Sequence, residues 1–242
     1  MPFIMTREEA IVRLKESKKI VFFGGAGTST ESGIPDFRSS GGVYDTIPEY
    51  VLSIDCLLRE PERFFAFYRQ NLLFPSAKPN RGHQILAQWE KEGRLLGIIT
   101  QNIDGLHQAA GSRQVFELHG GVKKNYCMHC HKEFDLDELP EEPLVPHCTC
   151  GGMIRPDVVL YGEPLDESVV YGAVELISEA EVLIVAGTSL VVYPAAGFLR
   201  YFRARPLIMN NKASTPMDER ADLILREGFS EAMAWMDSEC RK

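Results

Sequence analysis

Short apolar runs that alternate with helix-forming segments constrain the fold of this chain more than any other feature. The first run, Ile20-Val21-Phe22-Phe23, is apolar at consecutive positions, as expected of a parallel strand that is covered on both faces. Similar runs occupy residues 95–100, 115–118, 182–186 and 207–209, and helical patterns occupy residues 83–92, 166–179 and 194–203. This alternation predicts an α/β fold with a doubly wound, Rossmann-like parallel sheet that binds ligands at the carboxyl ends of its strands.

Two stretches interrupt the alternation. Residues 39–79 contain no convincing parallel strand but include a helix start with a dense aromatic face, and residues 121–156 carry four of the six cysteines. We expect these two inserts to pack together as a small domain, with the cleft between the domains as the ligand site. The remaining segments, 1–38, 80–120 and 157–242, are expected to form the Rossmann-like domain.

The charge balance restricts the classes of partner. Lys and Arg number 26 against 34 Asp and Glu, and the formal net charge of −8 argues against nucleic acid, including a zinc-ribbon nucleic-acid binder, and against an anionic membrane. No apolar run approaches the about 18 to 20 residues of a spanning helix, and residues 1–19 are too charged for a signal peptide. We therefore expect a cytoplasmic monomer that accepts basic or neutral polypeptides.

The clustered cysteines indicate a metal site in the second insert. They form the pairs Cys127-x-x-Cys130 and Cys148-x-Cys150, and in a reducing compartment such pairs favour metal binding over disulfides. Four thiolates are the tetrahedral set of a closed, structural zinc site, so we predict one structural Zn²⁺. The second pair is short by one residue, so His131 or His147 could replace a cysteine as ligand.

A glycine-rich turn follows the first predicted strand. Gly25-Ala26-Gly27 is half of a dinucleotide-binding fingerprint, but the third small position is Thr30 and no acidic residue ends a second strand about twenty residues later. No Gly-Lys-Ser/Thr follows, which excludes a P-loop. The turn alone is compatible with nucleotide binding or with a tight turn of no chemical role.

The residues beyond this turn resemble a known signature. The run at 25–38, GAGTSTESGIPDFR, is similar to the cofactor loop of the sirtuins, the NAD-dependent protein lysine deacylases. Further matches follow in order: TQNIDGLH at 100–107, ELHG at 117–120, RPDVVLYGE at 155–163 and GTSLVVYP at 187–194. The resemblance covers nearly the whole chain, includes the cysteine pairs, and is to the bacterial, core-only form.

The resemblance implies a reaction and its participants. It implies NAD⁺ as co-substrate and acetyl-lysine proteins or peptides as substrates, with nicotinamide, O-acetyl-ADP-ribose and free lysine as products. In this reaction the acetyl oxygen attacks the ribose anomeric carbon, nicotinamide leaves, and His119 then activates the ribose diol as general base. A protein ADP-ribosyltransferase and a non-catalytic NAD-sensing module remain alternatives, although a module that only binds needs no base.

The resemblance also implies site residues. His119, Asn102 and Asp104 are the expected catalytic residues, and Phe37 is expected to shield the anomeric carbon from water. The expected cofactor-binding residues are Gly25, Ala26, Thr30, Asp36, Phe37, Arg38, Gln101, Asn102, Ile103, Asp104 and His119. Residues that follow later strands are predicted on the adenosine side: Gly187, Thr188, Ser189, Asn210, Asn211 and Gly228.

Substrate residues are expected on two extended segments that clamp the peptide by strand addition. They are Val159, Tyr161, Gly162, Glu163 and Val192. In sirtuins that remove succinyl or malonyl groups, a Tyr and an Arg three residues later pair with the acyl carboxylate, and Phe65 and Tyr68 fall at those places here. An unpaired carboxylate in an apolar pocket is unfavourable, so we predict uncharged acyl groups. A slip of one residue would bring Arg69 to this position.

Overall fold

The computed structural model describes residues 5–36 and 48–242. In chain order its helices and strands are α1 (Arg7–Glu16), β1 (Ile20–Gly24), α2 (Ile54–Arg59), α3 (Pro61–Asn71), α4 (Arg81–Lys91), β2 (Leu95–Thr100), α5 (Leu106–Ala109), β3 (Val115–Glu117), β4 (Gly120–Cys127), β5 (Glu133–Asp135), β6 (Ile154–Val158), α6 (Glu167–Glu179), β7 (Val182–Ala186), β8 (Leu207–Asn210), β9 (Leu223–Leu225) and α7 (Phe229–Arg241). Short 3₁₀ turns connect several of them.

A six-stranded parallel sheet forms the larger part of the described residues. Its strand order is β3-β2-β1-β7-β8-β9, and every pair is parallel. The chain therefore winds outward from β1 first in one direction and then in the other, which is the doubly wound order 3-2-1-4-5-6. The predicted fold class is confirmed. The sequence analysis missed β9, a three-residue edge strand too short to give a clear apolar run, and also missed α7.

Alternate side chains of β1 enter two separate apolar cores, because successive residues of a strand face opposite sides of its sheet. Ile20 and Phe22 pack beneath α1, α4 and α7, in a cluster that includes the fully buried Trp89. Val21 and Phe23 pack beneath α6 and the 3₁₀ helix Ala195–Tyr201. This second helix lies where an α-helix was predicted at 194–203. Burial on both faces explains why β1 and β7 are apolar throughout.

A smaller antiparallel sheet, of order β5-β4-β6, stands beside the parallel one. Its apolar side chains share one cluster with α2 and α3, in which Leu57 and Phe64 meet Val122 and Val158. The two interrupting stretches therefore contact each other, as expected. Within residues 5–36 and 48–242, no helix is both long enough and apolar enough to cross a membrane.

Candidate active site

A cavity of about 700 Å³ opens at the carboxyl ends of β1, β2, β7 and β8. Its walls come from the turn after β1, residues 101–104 after β2, His119, the segment 158–163 and the loops after β7 and β8. The small sheet and α3 contribute the opposite wall through Val158 and Leu72. The volume lies within the range of ligand and cofactor sites, and the position is the one at which doubly wound sheets bind ligands.

The glycine spacing after β1 is required by backbone packing. The amide of Gly27 donates to the carbonyl of Gly187 over 2.8 Å, and a Cβ on Gly27 would lie 2.7 Å from the Gly187 Cα. Gly25 is equally confined, because its Cβ would lie 2.7 Å from the Thr188 Cβ. The turns after β1 and β7 therefore touch, and Ala26 and Thr30 reach the cavity wall while Gly25 stays behind it.

Polar side chains join the turns after β1 and β2. The Asn102 Nδ2 atom donates to the hydroxyls of Thr28 and Ser29, each over 3.1 Å. The Ser29 hydroxyl donates to Asp104 over 2.7 Å, and the second Asp104 oxygen accepts the amide of Leu106. Asn102 and Asp104 are thus held in one network, and both line the cavity together with Ile103.

His119 lies between β3 and β4, at the edge where the two sheets meet. Its Nδ1 atom is 2.9 Å from the carbonyl oxygen of Gln101. A carbonyl can only accept, so the bond places the ring proton on Nδ1 and leaves Nε2 as a proton acceptor. Burial lowers the pKa of His119, and the bond to the Gln101 carbonyl offsets part of that effect. The imidazole is therefore neutral near pH 7, as a general base must be.

The adenosine side of the cavity is formed by the turns after β7 and β8. The amide of Thr188 donates to the Asn211 side chain over 2.9 Å, and Asn210 Nδ2 donates to the carbonyl of Glu227 over 3.0 Å. The predicted residues Gly187, Thr188, Ser189, Asn210 and Asn211 all line the cavity. Gly228 instead precedes α7 and is not on the wall. Residues 212–215 and Phe229 also line the cavity and were missed, although their place after a strand could have indicated them.

The five residues predicted on the peptide segments all line the cavity. The amide of Val159 donates to the carbonyl of His119 over 2.9 Å, so this segment adjoins the candidate base directly. Tyr161 uses both of its backbone groups within the chain, since it bonds to the carbonyl of Leu52 and to the amide of Ile54. An added peptide strand must therefore pair with other backbone groups of the segment.

The acyl-pocket prediction for Phe65 and Tyr68 needs correction. Both side chains are buried in the cluster shared by α2, α3 and the small sheet, and neither lies on the described cavity wall. The aromatic face of α3 packs inward, and the end of the helix reaches the cavity through Asn71 and Leu72. Arg69 donates to the carbonyls of Pro140, Glu141 and Pro143 and so faces the cysteine-bearing segment.

Of the predicted cofactor residues, Asp36 lines the cavity, whereas Phe37 and Arg38 lie outside the described residues.

The four predicted cysteines converge on one point. Their Sγ atoms all lie within 4.8 Å of one another, with 3.5 Å between Cys127 and Cys150 and 3.7 Å between Cys130 and Cys148. A tetrahedral zinc ion with Zn–S bonds of about 2.3 Å requires sulfurs about 3.8 Å apart, so the set fits zinc. The short second pair suffices because Gly151, at φ +85°, and Gly152 turn the chain back toward Cys127.

The histidine alternatives at this metal site are not needed. Among the described residues the metal-binding group consists of the four cysteines, and His147 directs its Nδ1 atom to the carbonyl of Val145. None of the four cysteines lines the cavity. A closed set of four thiolates away from the cavity is a structural site.

The doubly wound sheet, the cavity at its strand ends and the closed thiolate site together define a nucleotide-dependent enzyme with a structural metal. The model of the Sir2 family matches residues 25–194, and the chain belongs to this family. The chain is 52% identical over 228 residues to an NAD-dependent protein deacetylase of Clostridium perfringens, covering 91% of this chain and 93% of that protein. It is also 52% identical over 236 residues to an NAD-dependent protein deacetylase of Cutibacterium acnes, covering 95% and 97%.

Solved Sir2 structures superpose over almost the full length. One contains a Sir2 mutant with a deacetylated p53 peptide and 3′-O-acetyl ADP-ribose, and it matches with a TM-score of 0.89 and 39% identity, covering 97% of this chain and 98% of that one. Another is a mutant Sir2 homologue in complex with ADP-ribose, with a TM-score of 0.91 and 36% identity, covering 98% and 97%. The chain is thus similar in sequence and in fold to proteins that bind these molecules.

Proposed function

We propose that the protein is an NAD-dependent protein lysine deacetylase that transfers the acetyl group of acetyl-lysine to ADP-ribose. The observation that carries this proposal is the neutral His119 at the cavity wall, beside the linked side chains of Asn102, Ser29 and Asp104. A protein that only binds NAD has no need of a positioned base. The identity of 52% to NAD-dependent protein deacetylases supports the same activity.

The turn after β1 has the shape needed to bind a diphosphate. Ala26, Gly27 and Thr30 lie on the cavity wall, and small residues at the first two positions let a ligand approach the backbone closely. Asn210 and Asn211 stand on the adenosine side. NAD⁺, when bound, supplies the ribose carbon that receives the acetyl oxygen as nicotinamide leaves. We assign the binding of the nicotinamide and its ribose to Gln101, Asn102, Ile103 and Asp104.

His119 moves a proton in this assignment. Its free Nε2 accepts a proton from a ribose hydroxyl, while the Nδ1 proton stays bonded to the carbonyl of Gln101. The same bond favours the imidazolium that forms, because both ring nitrogens are donors in that state. Asn102 is held by two hydroxyl acceptors, which fixes its amide before substrate arrives. Preorganisation of this kind lowers the reorganisation needed during reaction.

The wall near α3 favours an uncharged acyl group. It includes Leu52, Leu72, Phe74, Ile103 and Leu160. A succinyl or malonyl carboxylate there would need a cationic partner, and Arg69 is already engaged by three carbonyls. We therefore propose acetyl-lysine as the substrate.

The cysteine set supports this site from a distance. Cys127 ends β4, and β4 pairs with β6, which leads directly into the peptide segment at Val158. A zinc ion on the four thiolates would hold the loops at the far end of these strands and take no part in the reaction.

The test is mass spectrometry of an acetyl-lysine peptide incubated with and without NAD⁺. We expect deacetylation that requires NAD⁺, with nicotinamide and O-acetyl-ADP-ribose formed one for one. His119→Ala is expected to abolish turnover, whereas His147→Ala, which replaces an exposed histidine away from the cavity, is expected to retain it. A peptide that gains ADP-ribose would indicate a transferase, and bound NAD⁺ without turnover would indicate a sensor.

A further inference from the structure

The side-chain amide of Asn80 joins the turn after β1 to the start of α4. We call residues 25–33 the cofactor loop. The Asn80 Oδ1 atom accepts the amides of Gly82 over 3.0 Å and His83 over 3.3 Å, at the first turn of α4. The Nδ2 atom donates to the carbonyl of Thr28 over 2.8 Å and to the hydroxyl of Ser32 over 3.2 Å.

These four contacts use the whole hydrogen-bonding capacity of the amide. A side-chain amide offers two N–H donors and two acceptor lone pairs, and each has a partner here. The orientation is fixed by chemistry, because the Thr28 carbonyl can only accept and the amides of Gly82 and His83 can only donate. Asn80 therefore has two separate tasks, one on the helix and one on the cofactor loop.

The cofactor loop depends on such outside contacts. It consists of two 3₁₀ turns, Ala26–Thr28 and Thr30–Ser32, and ends at Gly33 with φ +87°. Short 3₁₀ turns have poor hydrogen-bond geometry and little stability of their own. Besides Asn80, Glu31 connects the loop to α7 by accepting the amide of Ser230 over 3.2 Å. The loop that borders the cavity is thus held from two helix N-termini.

The helix does not explain why this residue is asparagine. Asp and Ser cap helix N-termini about as well as Asn, and a carboxylate is also favoured there by the helix dipole. What Asp and Ser lack is an N–H₂ group that can reach Thr28. The donor side of Asn80 therefore serves the loop, not the helix.

We propose that Asn80 is a positioning residue that presets the cofactor loop for NAD⁺. It does not line the cavity, so it acts through the Thr28 backbone and the residues beside it. Without this contact, part of the ordering of the loop must accompany binding, which weakens affinity. The inference rests on the proposed function insofar as NAD⁺ is taken to be the ligand. It predicts weaker binding of the ADP-ribose part and unchanged binding of the peptide, whose segments at 158–163 and 190–192 do not bond to Asn80.

Two substitutions separate the loop contact from the helix cap. Asn80→Asp keeps the oxygen that accepts from Gly82 and His83 but turns a second oxygen toward the Thr28 carbonyl, which repels it. Asn80→Ser keeps a capping oxygen and is too short to reach Thr28. The matched control is Thr6→Asp, which places a carboxylate at the N-cap of α1, where Thr6 accepts only from Glu9 within its own helix.

The measurements are the Kd for ADP-ribose by calorimetry, the KM values for NAD⁺ and acetyl-peptide, and the Tm. Loss of two neutral hydrogen bonds corresponds to an increase of about tenfold to 30-fold in the Kd for ADP-ribose. We expect this increase in both Asn80 variants, with Asn80→Asp the weaker binder, a parallel rise in KM for NAD⁺, and a KM for peptide within about twofold of wild type. Thr6→Asp is expected to bind ADP-ribose as wild type does.

Two results would overturn the proposal. One is an ADP-ribose Kd in both variants within about twofold of wild type, measured well below the Tm. The other is an equal rise in both KM values, which would indicate a general structural defect. A wild-type protein that binds ADP-ribose but does not deacetylate peptide would instead disprove the proposed function. The calorimetric comparison would still decide the role of Asn80.

Discussion

Replacing Glu163 by Gln should weaken both the fold and the peptide site. Arg155, at the end of the small sheet, is buried and places its guanidinium against both carboxylate oxygens of Glu163, at 2.6 and 2.9 Å. The same Glu163 carboxylate accepts the amide of Leu160, and Arg155 also donates to the carbonyl of Val158 over 2.7 Å. The pair therefore lies inside the bend of the segment that carries the predicted peptide contacts.

The expected loss of stability follows from this geometry. Every N–H that faces Glu163 is a donor, so the N–H₂ group that the substitution introduces would oppose another donor in either orientation. Breaking a buried ion pair by changing one partner destabilises by about 3–5 kcal/mol. The Glu163 side chain is 23% exposed and Gln keeps one acceptor, so we expect about 2–3 kcal/mol, or a Tm lower by about 5–10 °C for a chain of this size.

The assay is urea unfolding at pH 7, with Glu167→Gln, an exposed change on α6, as the control. In a double-mutant cycle, Arg155→Met should destabilise Glu163→Gln less than it destabilises the wild type, because the unpaired charge has gone. Burial alone would raise the pKa of Glu163, but the bonds from Arg155 and Leu160 hold it below its usual value. The stabilisation is therefore present at neutral pH and is lost as the pH falls below about 4. The reasoning is refuted if Glu163→Gln unfolds like Glu167→Gln, with an unchanged KM for peptide.

Three further predictions concern the base, the metal and the glycine turn. Because burial lowers the pKa of His119, kcat/KM should hold its plateau down to about pH 6.5 and fall below it; a midpoint at pH 7 or higher would contradict this. Removing the metal with a chelator should release one zinc ion per chain and speed hydrogen exchange in β4 and β6, with β1 and β7 still protected; equal loss of protection in both sheets would refute a local role. Gly27→Ala should weaken ADP-ribose binding at least about tenfold, since the new Cβ would lie 2.7 Å from the Gly187 Cα, whereas Gly197→Ala, whose new Cβ would lie 3.6 Å from its nearest neighbour, should bind normally.

Strand positions could be predicted from the sequence because burial on both faces leaves a continuous apolar run. The strand β9 gave no such run, since it is a short edge strand with Ile224 partly exposed. Helix α7 was readable in principle: Phe229, Ala232, Met233 and Met236 recur at helical spacing and are buried together. Its omission reflects an incomplete search of the pattern.

The cavity was predicted where backbone chemistry defines it and was wrong where packing decides. Residues after strand ends had to meet at one edge of the sheet, which placed Asn102 and Asn210 correctly on the wall. The rotation and depth of α3 depend on how its aromatic face fits the small sheet, so the sequence could not show that Leu72, and not Tyr68, reaches the cavity. The ligand set of the metal was left open by spacing alone and required the fold of the Gly151-Gly152 turn.

The hydroxyl of Thr28 has an evolutionary consequence. It donates to the carbonyl of Gly25 over 2.8 Å and accepts from Asn102, while the Thr28 carbonyl accepts from Asn80. Substitutions at positions that share hydrogen bonds are not additive, so these residues should change together or not at all in descendants of this chain. The apolar contacts of Leu72 and Phe74 carry no such constraint, because one side chain of similar size can replace another. Acyl selectivity can therefore drift by single substitutions while the recognition of NAD⁺ stays fixed.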